Sequence, residues 1–360
     1  MFFDRFREAT ARLPAGLIRP APAATPETIA RAEARLGPLP APYASFLRSF
    51  DGADLFHEAI VIAGVGASAP RALTELNDEA SGADGARPLV FAEAVAGDRF
   101  ALDARGRVLR LRAGSDERIV AGSTFERWLD ATIARERVLY GADGEFAPDV
   151  FDDDGEEIAP VIVVRQTERA LRIDPGSAEA QHERGVALRR LGRRERAVEA
   201  FAAATELDPE NPWPWFDLGR TALTSGVDLP RARAAFERAA ALEEGPPAAR
   251  LYAWAARAAR AAGDDGAAED ARRAALARDP ALLDAFTRAE AQAALEGDDD
   301  ARAENEALRL ALAPGSTARR SLPVLTAESS RRPRPSPPPR PAPAARPRGG
   351  ASPRAGRPRR

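Results

Sequence analysis

The run Gly64-Val65-Gly66-Ala67-Ser68-Ala69 follows the apolar stretch Ala59 to Ala63. A G-x-G-x-x-A turn after a strand is how a dinucleotide fold begins, because bare amides there can cradle a pyrophosphate. Glu93 follows a later strand-like run, where such a fold would hold a ribose. The remaining parts do not fit. Pro70 to Ala80 makes a short, poorly patterned helix, a long helical segment precedes the strand, and too few strands remain for a doubly wound sheet. A plain glycine-bearing turn is the better reading. The acidic run Asp152-Asp153-Asp154-Gly155-Glu156-Glu157 invites calcium, yet placing Gly155 at the required turn puts Val150 at the first ligand position. A solvated linker accounts for it better.

Other chemistries lack their residues. The chain has no cysteine, so thiolate nucleophiles, disulfides and thiolate metal sites are excluded. Its two histidines, His57 and His182, lie far apart, which leaves no multi-histidine metal site. No P-loop or G-x-S-x-G elbow occurs. The expectation is a protein that is not an enzyme, with no catalytic residue, cofactor or metal.

Arginine is the one abundant functional group, since all 52 basic residues are arginine. Ten of them, with ten prolines and no acid, fall in residues 331–360, leaving 42 basic against 55 acidic residues ahead of that tail. A body so acidic argues against a nucleic-acid face. The tail is expected to be disordered and to attract nucleic acid weakly and in a salt-sensitive way. Its Pro335 to Arg340 stretch matches an SH3-ligand pattern, as a composition this biased does by chance. The first thirteen residues carry Asp4 and Glu8 and do not resemble a secretory signal. The longest apolar run, Ala59 to Ala69, is too short for the ~20 residues of a membrane helix. A cytoplasmic location without membrane contact follows as an expectation.

Helical spacing places Phe2, Phe3, Phe6 and Leu13 on one side of a first helix. Thr25-Pro26 reads as an N-cap and first helical position, and Tyr43, Phe46, Leu47 and Phe50 line a further helix closed by Gly52. Strand-like runs follow at Glu58 to Ile62, Pro88 to Glu93, Phe100 to Asp103 and Arg107 to Leu111, the last two joined as a hairpin. Phe125, Trp128, Leu129, Thr132 and Ile133 then return to helical spacing. Helices, strands and a helix in that order predict an α+β domain.

The residues Glu33, Leu36, Gly37, Leu39, Pro40, Tyr43, Phe46, Leu47, Phe50, Asp51 and Gly52, then Gly97-Asp98 before Phe100 to Asp103, then Phe125 and Trp128-Leu129, resemble the SUKH superfamily. Ala53 departs from it, because many members carry a second glycine there. The resemblance implies a mixed sheet flanked by helices that binds another protein, often a toxin domain, without catalysis. It supplies no fixed set of contact residues.

Asp174-Pro175 and Asp208-Pro209 lie 34 residues apart, as do Asp279-Pro280 and Ala313-Pro314. That period is the tetratricopeptide signature. Gly185, Leu191-Gly192, Ala197, Phe201, Ala204 and Pro209 match its pattern in one unit, and Trp215, Leu218-Gly219, Ala232, Phe236 and Ala239 in the next. In the third unit Ala256 replaces glycine and Arg272 replaces an aromatic, a half unit precedes and a worn one follows. By this resemblance the first helix of each unit lines a concave groove. Glu179, His182, Val186, Arg189 and Arg190 would face it, then Trp213, Phe216, Arg220, Leu223 and Thr224, then Arg250, Ala253, Arg257 and Arg260. Arg189, Arg190, Trp213, Phe216, Arg220, Arg257 and Arg260 are the candidate partner-binding residues. Their chemistry suits an acidic segment or a chain terminus, and the alternative is that these arginines are simply a solvated face. Val186 stands where the peptide clamp of chaperone-binding relatives has asparagine.

The expected organisation is an N-terminal segment at 1–19, a SUKH-like domain at 20–140, an acidic linker at 141–157, a helical array at 158–314 and a tail at 315–360. The expected function is protein–protein interaction, as an immunity protein holding a toxin domain or as a scaffold assembling a complex.

Overall fold

The computed structural model describes residues 2–79, 88–152, 155, 157–226 and 228–313. The expectations for the Arg/Pro tail, and for most of the acidic run after Asp152, lie outside them. The N-terminal half holds α1 (Phe2–Arg12), α2 (Pro26–Leu36), α3 (Ala41–Leu47), α4 (Leu73–Glu79) and α5 (Phe125–Glu136) around seven strands. These are β1 (Ile18–Pro20), β2 (Ala53–Leu55), β3 (Ile60–Ile62), β4 (Leu89–Ala94), β5 (Arg99–Leu102), β6 (Val108–Leu111) and β7 (Arg118–Gly122). They pair in sequence order, each antiparallel to the next. The parallel component of the expected mixed sheet is the isolated bridge Gly64↔Ala72. Short connections explain the pairing of β2 with β3 and of β4 through β7, because parallel neighbours need long crossovers; the longer connections β1–β2 and β3–β4 carry α2, α3 and α4.

The aromatic residues singled out by spacing form one core. Tyr43, Phe46, Phe91, Phe125 and Trp128 are buried and meet mainly edge to face, with Phe91 and Trp128 ring centres 5.0 Å apart. Thr25 and Thr124 cap α2 and α5 by accepting from Thr28 N and Arg127 N. Residues 141–152, expected as linker, are tied to this domain. Val150 is fully buried, and Phe146 stacks on Tyr140 at 4.8 Å with Phe151 beyond it at 5.5 Å.

Helices fill the rest: α6 (Pro160–Ile173), α7 (Ala178–Arg190), α8 (Arg194–Leu207), α9 (Pro212–Ser225), α10 (Leu229–Ala241), α11 (Gly245–Ala262), α12 (Asp265–Arg278), α13 (Leu282–Glu296) and α14 (Asp299–Ala311). Each from α6 to α11 packs on its successor, and α6 also packs on α5, so the half unit completes a helix pair with the first domain. The repeat's small residues have a steric cause. A Cβ on Gly185 would lie 2.6 Å from the Phe201 ring, and one on Gly219 2.9 Å from Phe236. In the third unit Arg272 stands in the aromatic's place and pairs with Glu269, so Ala256 fits where glycine was needed before. Trp254 supplies the missing bulk, stacked on Phe236 at 5.5 Å. Gly185→Ala should therefore cost about 1–3 kcal/mol by overpacking, measured as a lowered midpoint in urea. An equal change at Gly192, where a Cβ meets nothing, is strained by its φ of +72° and not by crowding.

Candidate partner-binding groove

Two devices fix the array on the sheet before any groove exists. Strand β7 ends the sheet, and its outward backbone groups are taken by residues of the repeat turns. Val120 N donates to Asp208 Oδ2 at 3.1 Å, Ser123 N to Asp174 Oδ2 at 2.8 Å, and Asn211 Nδ2 donates to Arg118 O at 2.9 Å. An edge strand that would otherwise template foreign pairing is thereby covered. Asp174 and Asp208 of the Asp-Pro signature thus act as sheet-edge acceptors.

The second device is ionic. Asp98 Oδ2 accepts from Arg110 Nε at 2.8 Å, and the same guanidinium pairs with Glu179 of α7 and lies 3.6 Å from Glu183. Arg135 of α5 reaches Glu183 at 2.8 Å. Burial alone would lower the Arg110 pKa, but the carboxylates of Glu179, Glu183 and Asp98 outweigh it and the net shift is upward. The Gly97-Asp98 pair of the resemblance thus anchors an interdomain arginine.

These contacts decide what the predicted groove residues do. Glu179 is buried against the first domain. His182 Nε2 and Arg189 Nη1 converge on the buried Asp217 at 2.8 and 2.7 Å, and Arg189 also lies over the Phe201 ring. Arg190 pairs with Glu157 at 2.7 Å. The first unit's arginines are therefore engaged within the chain. Burial would raise the Asp217 pKa, yet Arg189 and His182 together hold it well below the carboxylate range. Glu183 is also lowered, its burial outweighed by Arg135 and Arg110. Folded-state values below the unfolded ones of about 4 mean that both groups contribute their full stabilisation above that pH. The contribution drains as pH falls through it towards the folded values. We expect the melting temperature to fall below about pH 4, and Asp217→Asn to flatten that dependence.

The middle and third units bring the other candidates together. Trp213 and Phe216 meet edge to face at 6.3 Å, and Phe216 packs 5.9 Å from Trp254. Arg220 and Arg257 both lie over the Trp254 ring, at 5.9 and 5.1 Å. Arg257 is 4% exposed. Burial, with the neighbouring charge of Arg220 and against that of Glu304, pulls its pKa down to about 10. Arg220 Nη2 donates to Glu304 Oε2 at 3.2 Å, and Arg260 donates to the carbonyls of Ala311 and Ala313 at 2.7 and 2.8 Å. Glu304 was not singled out from sequence, because no spacing rule links α14 to α9.

The glycine-rich run that resembled a phosphate cradle has its amides occupied. Val65 N and Gly66 N donate to the buried Asp51 carboxylate at 2.6 and 2.8 Å. A Cβ on Gly64 or Gly66 would fall within 2.5 Å of Asp51, so the glycines serve that close approach. Among the described residues no cluster of three or more His, Asp or Glu is placed to hold a metal. No described helix is long and apolar enough to cross a membrane.

Residues 23–131 match the family model "SMI1 / KNR4 family (SUKH-1)", and residues 178–211 match the tetratricopeptide repeat model. No curated protein matches the chain. Similar solved structures include the crystal structure of MamA, 20% identical over 41% of this chain and 84% of that one, TM-score 0.31. YrrB, titled a TPR protein with an unusual peptide-binding site, is 20% identical over 42% and 77%, TM-score 0.30. PilW, titled a type IV pilus biogenesis factor, is 24% identical over 51% and 74%, TM-score 0.29. The chain thus carries an N-terminal SUKH-1 family domain followed by tetratricopeptide repeats.

Proposed function

We propose that the chain is a non-catalytic cytoplasmic binding protein whose SUKH-1 domain holds one protein and whose repeat array holds another. The observation that carries the array's role is the convergence of Arg220 and Arg257 on Trp254, with Arg260 nearby donating to backbone carbonyls. Arginine forks and a tryptophan face are the residue types on which binding energy concentrates, and they suit carboxylates and helix or chain ends. The ligand read from this chemistry is an acidic segment. A toxin domain, in an immunity role, is the proposed partner of the first domain, on the strength of the family match.

The test presents a library of acidic peptides to the immobilised full chain and to its Arg220→Ala/Arg257→Ala form. Enrichment on the first and at least about thirtyfold weaker retention on the second is the expected result, since two such anchors at over 1 kcal/mol each are lost. Equal retention would remove the groove assignment. For immunity, a gene for a toxin domain should lie beside this one and co-production with that domain should restore growth; continued killing would reject that role. The ion cluster joining the modules favours scaffolding as a second reading, because it fixes the array on the first domain.

A further inference from the structure

The terminal hairpin does not continue the stack. Helix α9 packs on α8, and α11 on α10, but α13 does not take α12 in the same way. Instead α14 packs on α11. The last described helix of the chain itself therefore lies against the groove-lining helices. Three kinds of contact seat it. Glu304 pairs with Arg220 on α9, Leu308, Ala311 and Leu312 join the cluster around Trp254, and Arg260 takes the carbonyls of Ala311 and Ala313 at the helix end. Glu304, Leu308 and Leu312 follow at four-residue steps, so one helical face presents a carboxylate and then two leucines.

We propose that α14 is an exchangeable occupant of this groove, and that the groove's partner is an acidic amphipathic helix of another protein with the same face. This deepens the peptide-binding reading given above and rests on it. Each contact is generic: a carboxylate for an arginine, leucines for an indole face, and free carbonyls at a helix end for a guanidinium. A foreign helix can reproduce all three. The hairpin of α13 and α14 can leave as one unit, because α13 stands apart from α12 and packs chiefly on α14, burying only Leu282, Phe286 and Ala293 and leaving Leu295 84% exposed. Segments held by few buried contacts are the ones that open locally. The binding-competent state is then the open one, and apparent affinity is reduced by the fraction that is closed.

The test uses the full chain and, as probe, a fluorescent peptide with the sequence of residues 298–313. Hydrogen exchange at residues 299–311 reports release of α14, and anisotropy reports peptide binding. Glu304→Arg, which sets a third cation beside Arg220 and Arg257, should speed exchange of α14 and tighten peptide binding, each on the order of tenfold. The swap Arg220→Glu/Glu304→Arg should restore protection of α14. If Glu304→Arg lowers the overall helix content, Glu304→Gln is read by the same two measures.

Unchanged protection with equal peptide binding by both chains would overturn the gating and leave the groove reading standing. Released α14 with no peptide binding would overturn both. Dimers that form through an exchanged α14 as concentration rises would make the occupant a second copy and overturn the choice of partner.

Discussion

Arg110→Met is expected to lower stability by about 3–5 kcal/mol and to separate the unfolding of the two modules. Removing one member of a buried ion cluster leaves the others without compensation, and that is the costly case for buried charges. Here the survivors are Asp98, Glu179 and Glu183, three carboxylates now opposed chiefly by Arg135. Calorimetry checks this: the variant should show two transitions where one cooperative transition is expected of the parent. Arg110→Lys should fall between them, because one ammonium cannot fork to Asp98 and Glu179 together. A variant melting like the parent would show that the cluster contributes nothing at the junction.

Asp51→Ala should cost a similar amount, about 3–5 kcal/mol, within the first domain alone. Its carboxylate accepts from two consecutive amides, Val65 N and Gly66 N. Hydrogen bonds to a charged group contribute about 1.5–3 kcal/mol each, and the abandoned donors then carry a desolvation cost. Asp51→Asn keeps one acceptor oxygen and should recover roughly half of the loss. Denaturant titration separates the three chains by their midpoints. Exchange at Val65 and Gly66 should rise most in the alanine form, and unchanged exchange there would reject this role for the carboxylate.

Local rules made much of this legible. The Thr25 cap, the hairpin between β5 and β6 and the 34-residue period each rest on residues close in sequence, and the structure places all three. Strands β1 and β2 were invisible because three residues carry no alternation. Strand β7 was missed although Ile119 and Val120 follow a glycine turn, a signal too short to weigh against the coming helix. The groove candidates came from repeat position, which fixes the face of a helix but not its neighbours. Hence Arg189, Arg190 and Glu179 were assigned to the groove face by repeat position, while the residues that engage them, Asp217, Glu157 and Arg110, lie up to 69 residues away. Such pairings are tertiary, and no periodicity encodes them.

Asp174 and Asp208 stand one full repeat apart, yet they meet the sheet margin at Ser123, just past the end of β7, and at Val120 within it, only three residues apart. Three residues of strand advance about 10 Å, close to one interhelical spacing, so the sheet margin and the superhelix share a common pitch like the two scales of a vernier. Adding or deleting a single residue between those positions would throw one carboxylate out of phase. Breathing of the superhelix is therefore expected downstream of Asn211, where no such tie to the sheet is made among the described residues.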